Sequence, residues 1–134
     1  MPKPPLPPEL QAVLSQPNPC VIATLKPDGA PITVATWYLW ENGRVLVNMD
    51  EGRKRVSHLR ADPRVSLNVL DGERWHRSIG LHGRVASLED DSDLRDIDRI
   101  ATHYTGRPYR DRTRGRVNAW IEVLTWHKWG FDRG

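Results

Sequence analysis

Two closely spaced turn signals, Lys26-Pro27-Asp28-Gly29 and Glu41-Asn42-Gly43, allow only short extended runs around them. Proline presets one corner of a turn and glycine takes the positive φ of another, so neither segment continues a helix or a strand. The runs they separate are Cys20 to Leu25, Ile32 to Trp40 and Val45 to Asn48. These are apolar, β-branched or aromatic, and predict three antiparallel strands in a meander. Further on, Arg64 to Leu70 sets Val65, Leu67 and Val69 on one face and stops at Asp71-Gly72. Ile79, Leu81 and Val85 continue the alternation, with Gly80 and Gly83 marking a bend or bulge. In the last strand Val117, Ala119, Ile121 and Val123 form one face and Trp120, Glu122 and Trp126 the other. Six such strands predict a small, mainly β barrel, because closure leaves few exposed edges.

Three short helices accompany them. Glu9 to Ser15 carries Leu10, Val13 and Leu14 at helical spacing. Gly52 to Ala61 has Val56 and Leu59 three apart and ends at Asp62-Pro63. Leu94, Ile97, Ile100, Ala101 and Tyr104 trace a third helical face, after acids that suit a helix N-terminus and before Gly106 and Pro108. The Pro-rich residues 1–8 read as a poorly tied-down tail, and 9–134 as a single domain, since 134 residues fit one core.

Composition narrows the functions. Twenty Lys+Arg against seventeen Asp+Glu give a net charge of +3, a mild excess that favours small anionic partners. No apolar run approaches the ~18 residues of a bilayer span, and the start lacks the apolar stretch of a secretory signal. The expected compartment is therefore the cytoplasm, with no membrane partner. The single cysteine, Cys20, excludes an internal disulfide or a multi-cysteine zinc site and reads as a buried, inert thiol. Five histidines, at 58, 76, 82, 103 and 127, show no i, i+4 pair, so no metal is expected. Ser57 and His58, adjacent on a helix, point in different directions and make no nucleophilic dyad. Arg107 to Arg116, with Tyr104 and Tyr109, offers charge and stacking surface for a single strand. The neighbouring acids over 89–98 instead favour a solvated loop, with no nucleic-acid partner.

The segment that points to chemistry is Asn48-Met49-Asp50-Glu51-Gly52-Arg53-Lys54-Arg55. Three cations sit where a strand hands over to a helix, and Gly52 allows close backbone approach. A helix N-terminus has unpaired N–H groups and a positive dipole end, so cations there are unfavourable unless an anion compensates them. That conflict suggests a phosphate-bearing ligand. A barrel this small leaves little room for a deep pocket, and a site shared between two copies buries a large ligand more easily.

The order of these features resembles the pyridoxamine-phosphate-oxidase-like superfamily, and more narrowly its branch that uses the deazaflavin coenzyme F420. The resemblance is carried by Lys26-Pro27-Asp28-Gly29-Ala30-Pro31, Thr36-Trp37-Tyr38, Gly52-Arg53-Lys54-Arg55, the run from Leu59 to Leu67, and Gly83-Arg84-Val85. It extends through Tyr104 to Tyr109 and Ala119 to Val123, covering roughly 9–130. The resemblance implies a six-stranded antiparallel split β-barrel of the FMN-binding type, forming a homodimer with cofactor sites at the interface. The cofactor phosphate would lie at Gly52, Arg53, Lys54 and Arg55. Many relatives have Lys where Arg55 stands, so a planar fork replaces a point donor. Thr36 and Trp37 would flank the tricyclic ring, and Asn48 and Met49 would approach the ribityl chain or phosphate. Trp75, Trp126 and Trp129 would come from the partner subunit.

The activity so implied is an F420-dependent oxidoreductase that moves a hydride between the deazaflavin and a small organic acceptor such as an enone, imine or quinone. The alternatives are an FMN-dependent oxidoreductase of the same fold and a non-catalytic F420-binding protein. The deazaflavin continues beyond its phosphate into a tail of carboxylates, which the cationic loop Arg107 to Arg116 could meet. The cofactor carries the chemistry, so no catalytic side chain is assigned. A product proton would come from water, or from His127 or Tyr38 if either reaches the acceptor.

Overall fold

A computed structural model describes residues 1–131, and 132–134 at the end of the expected domain lie outside the described residues. The chain runs α1 (Pro8–Leu14), β1 (Cys20–Leu25), β2 (Pro31–Thr36), β3 (Leu39–Glu41), β4 (Arg44–Asp50), α2 (Lys54–Ala61), β5 (Arg64–Asp71), β6 (Arg74–Asp90), α3 (Arg95–Thr105) and β7 (Arg116–Trp129). Every strand pairing is antiparallel, in the order β2-β1-β5-β6-β7-β4-β3.

The seventh strand arises because the run Ile32 to Trp40 breaks at Trp37-Tyr38. Its halves, β2 and β3, lie at opposite margins of the sheet rather than side by side in a meander. The break has a local cause. Tyr38 turns inward, only 1% exposed, and its hydroxyl donates to the Leu14 carbonyl at 2.8 Å, so α1 holds the chain where a strand would otherwise continue. Laid flat, seven strands at ~4.8 Å spacing would hold their margins about 29 Å apart. Thr36 and Leu39 are three residues apart and can span at most ~11 Å. The sheet therefore curls until the Thr36 end of β2 comes within that reach of the Leu39 end of β3, giving the split barrel. β1 turns Cys20, Ile22 and Thr24 into its core, β5 turns Val65, Leu67 and Val69, and α1 lays Leu10 and Leu14 against the same cluster.

Glycine decides the path of the last strand. A Cβ on Gly83 would sit 2.0 Å from the Glu122 carbonyl oxygen, so only glycine admits this approach of β6 to β7. The pairing slips there: His82 faces Thr125 and Gly83 faces Val123, which leaves Leu124 as an extra residue. The slip reverses the in–out alternation beyond it. Trp126, expected outward with Trp120 and Glu122, consequently points into the core at 8% exposure, while His127 faces out.

The N-terminal residues are tied down, contrary to the loose tail the prolines suggested. The Trp126 amide N–H donates to the Pro2 carbonyl at 3.0 Å and its indole Nε1–H to the Lys3 carbonyl at 3.3 Å, and Leu6 is buried. Proline lacks a donor but keeps its carbonyl, so an extended Pro-rich segment can still accept. No helix among the described residues is long and apolar enough to cross a membrane.

Candidate functional site

β4 ends at Asp50, whose carboxylate accepts the Gly52 N–H at 2.8 Å while its carbonyl accepts the Arg53 N–H at 3.0 Å. These bonds shape the turn, so α2 begins at Lys54, two residues later than the sequence pattern predicts. Arg53 occupies the N-cap with no side-chain acceptor, and the first turn carries no acid. A positive dipole end thus opens beside Arg53, Lys54 and Arg55. None of these three forms an ion pair among the described residues.

Besides His58 Nδ1, the described residues of this corner leave Arg55 unsatisfied. Its Nε and Nη1 are buried and have no hydrogen-bond partner. Burial, then the neighbouring Arg53 and Arg116, push its pKa below the ordinary arginine value. Burying unpaired N–H groups of a cation among like charges is costly, and an oxyanion supplies both the missing acceptors and the missing charge.

This corner opens into a cleft of about 1770 Å³ between β2, the end of β4, α2, α3 and the start of β7. Thr36, Trp37, Asn48, Met49, Gly52, Arg53, Lys54 and Arg55 all line it. Trp75 and Trp129 do not; they are 72% and 71% exposed elsewhere on the same subunit. Trp126 is a core residue covered by the N-terminal segment. The cleft also recruits Tyr104, His58 and, from the basic loop, Tyr109, Arg114 and Arg116. Arg114 is held by Asp50. Trp37 stacks on Tyr104, with centroids 5.2 Å and planes 13° apart, and forms an aromatic wall. The Tyr104 hydroxyl donates to the Asn18 carbonyl at 2.7 Å, which fixes that wall to the barrel end.

Asn48 lines the cleft and is 7% exposed. Its Nδ2 donates to Asp91 at 3.1 Å and to Asn118 at 2.7 Å, and its Oδ1 accepts from Arg116 Nε at 2.7 Å. Asp91 also accepts the Asp96 and Ile97 N–H groups at 3.1 and 2.8 Å, so the network is anchored to the start of α3.

Neither proton-donor candidate meets the cleft. Tyr38 is committed to α1, and burial raises its pKa. His127 lies on the outer face of the sheet. There its Nδ1 is 2.9 Å from His82 Nε2, and Ser66 Oγ is 3.0 Å from His82 Nδ1. Cys20 is buried, and desolvation pushes its thiol up to about 12, as expected of an inert cysteine. No group of three or more potential metal ligands occurs among the described residues.

Burial, then proximity to His127, lowers the pKa of His82 from 6.5. An unfolded chain therefore binds this proton at a pH where the folded chain does not. The stabilisation is complete above ~6.5 and is lost as pH falls through the lower folded value. Urea midpoints should decline as pH falls below about 6.5, and His82→Gln should flatten that decline. An identical slope in the variant would remove the pair as its source.

The chain as a whole is similar to known proteins. The family model described as pyridoxamine 5′-phosphate oxidase matches residues 6–130. A solved F420 reductase is similar over 91% of this chain and 98% of its own, with 22% identity and a TM-score of 0.82. The conserved hypothetical protein Rv2991 of Mycobacterium tuberculosis shares 24% identity over 95% of this chain and 86% of its own, with a TM-score of 0.70. General stress protein 26 of Bacillus anthracis shares 19% identity over 90% and 91%, with a TM-score of 0.69. A search of curated proteins gave no match.

Proposed function

The chain belongs to the pyridoxamine 5′-phosphate oxidase family, and from that premise we propose that it is an F420-dependent oxidoreductase acting on a small organic acceptor. The observation that carries the reading is the half-buried Arg55 guanidinium, with two orphaned nitrogens in a corner shared with Arg53, Lys54 and the helix N-terminus. That set fits a phosphate ester. Arg55 would meet it once its guanidinium turns toward the cleft, and Arg53 and Lys54 would add charge from the solvent side. The cleft exceeds the ~300–1,000 Å³ of an ordinary small-molecule pocket, which suits a long cofactor lying beside an acceptor. Bound there, the deazaflavin supplies hydride transfer at its ring.

The protein's own residues bind and orient. Thr36 and the Trp37–Tyr104 wall would fix the ring plane, and Gly52 would let backbone approach the ligand. A proton for the product would come from water, since Tyr38 and His127 are both engaged away from the cleft. Ile32 and Val34 on β2, each 45% exposed beside the cleft, suit cover by a second copy, which would exclude water from the ring. Trp75 and Trp129, exposed on each subunit, are the residues such a copy would bring.

The test is a titration of purified protein with F420 and with FMN, read by quenching of tryptophan fluorescence. An acceptor panel of enones, imines and quinones follows. Tight F420 binding that weakens in Arg53→Ala/Lys54→Ala, with turnover of one acceptor class, is the expected result. Preference for FMN would instead give the flavin enzyme, binding without turnover a cofactor carrier, and failure to bind either would end the assignment.

A further inference from the structure

The anion corner has a second side. Arg116 opens β7 directly opposite Asp50, the last residue of β4, so its side chain reaches the cleft from the sheet while Arg55 reaches it from α2. Its Nε donates to Asn48 Oδ1 at 2.7 Å, its Nη1 lies 3.4 Å from the Tyr109 hydroxyl, and its guanidinium stacks over the Tyr109 ring at 4.6 Å. Three restraints on one arginine leave it little rotamer freedom, and Nη2 makes no hydrogen bond to a described residue. No carboxylate among the described residues pairs with Arg116, although Arg112 and Arg114 in the same loop have Asp98 and Asp50. An arginine aimed so firmly and left without a counter-ion is arranged to meet one that arrives.

Asn48 explains how the aim is held. Both of its donor positions and its acceptor are used, so it has no N–H left for a ligand. Its donors fix the amide orientation through Asp91 and Asn118. Asn118 Nδ2 in turn donates to Asp96 at 2.8 Å, and Asp91 caps the first turn of α3. With Nδ2 pinned, Oδ1 can only point toward Arg116. The asparagine that the resemblance put on the phosphate or ribityl chain thus acts at one remove.

We propose that Arg116 is the second jaw of a two-sided clamp on the phosphate, opposite Arg55, and that Asn48 is a positioning residue that acts on the ligand only through Arg116. This rests on the anion-corner reading above, and it names a residue and a relay that reading does not require. Consistent with the geometry, Arg116 is among the charges that lower the pKa of Arg55.

The experiment separates the two claims. Dissociation constants would be measured for two ligand pairs, F420 against its phosphate-free deazariboflavin precursor and FMN against riboflavin. The FMN pair differs by the phosphate alone, whereas the F420 pair also adds the carboxylate tail, so the FMN ratio isolates the phosphate contribution. Arg116→Ala should shrink that ratio about tenfold or more while the phosphate-free ligand binds as before, and Arg116→Lys should recover part of it. Asn48→Ala should reduce the ratio too. In a double-mutant cycle it should add nothing once Arg116 is Ala, which a general loosening of the fold would not reproduce. Retained binding of the phosphate-free ligand serves as the folding control for each variant. A ratio that falls in Arg55→Ala and is unchanged in Arg116→Ala overturns the clamp but leaves the corner standing. Additive losses overturn the relay, and no phosphate increment in the unmutated protein overturns both the corner and the clamp.

Discussion

Arg55→Met is expected to make the ligand-free protein more stable and to remove most of its affinity for a phosphorylated cofactor. Arg55 Nε and Nη1 are buried without partners, so the folded chain carries a desolvation cost that the unfolded chain does not. Methionine fills similar space with no donor to satisfy. The relief should be about 1–3 kcal/mol, read as a higher urea midpoint at unchanged slope. In the same variant, affinity for the phosphorylated member of a cofactor pair should fall about tenfold to a hundredfold. Arg55→Lys, which keeps charge but loses the fork, should fall between in affinity. Opposite signs for stability and binding separate a site residue from a structural one. A Met variant that loses stability would show that Arg55 is satisfied within the protein.

Gly83→Ala should be the most damaging single-methyl change in the sheet. The added carbon would lie 2.0 Å from the Glu122 carbonyl oxygen and 3.3 Å from Val123 Cα, both of them backbone, so β6 and β7 would have to separate. A loss of about 3 kcal/mol or more is expected, with the bulge that inverts Trp126 as the element lost. Gly80→Ala is the control. Its Cβ would meet the His127 ring at 2.1 Å, but that ring is an exposed side chain that can swing away. Its main effect should be to break the contact of His82 with His127, leaving the fold intact. Similar stability losses in the two variants would refute the distinction between backbone and side-chain obstacles.

The contrast between these glycines also marks how far the sequence could be read. Pro27, Asp28-Gly29 and Asn42-Gly43 act through local dihedral preference, so the turns they make are legible from neighbours alone. The same holds for the alternation of Val65, Leu67 and Val69. The inward turn of Trp126 was not legible, because a close approach between residues 39 positions apart sets it. The separation of β2 from β3 depends on a hydroxyl of Tyr38 reaching the carbonyl of Leu14, a contact with no periodic signature. At the site, Gly52-Arg53-Lys54-Arg55 stood out because cations at a helix start contradict a local rule. Arg116 did not stand out, because five arginines share its loop and only pairing with Asp50 and Asn48 singles it out. The sequence thus exposed one half of the corner, and the sheet register supplied the other.

The two residues that join the sheet's margins face opposite ways, Trp37 toward the cleft and Tyr38 toward the interior. Aromatic wall and architectural seam are therefore one dipeptide. Reshaping the cavity through Trp37 would pull on the closure of the whole sheet. Room for reshaping the cleft lies instead on β2 at Thr33 and Ala35, which line it, are exposed within the subunit and belong to no core contact.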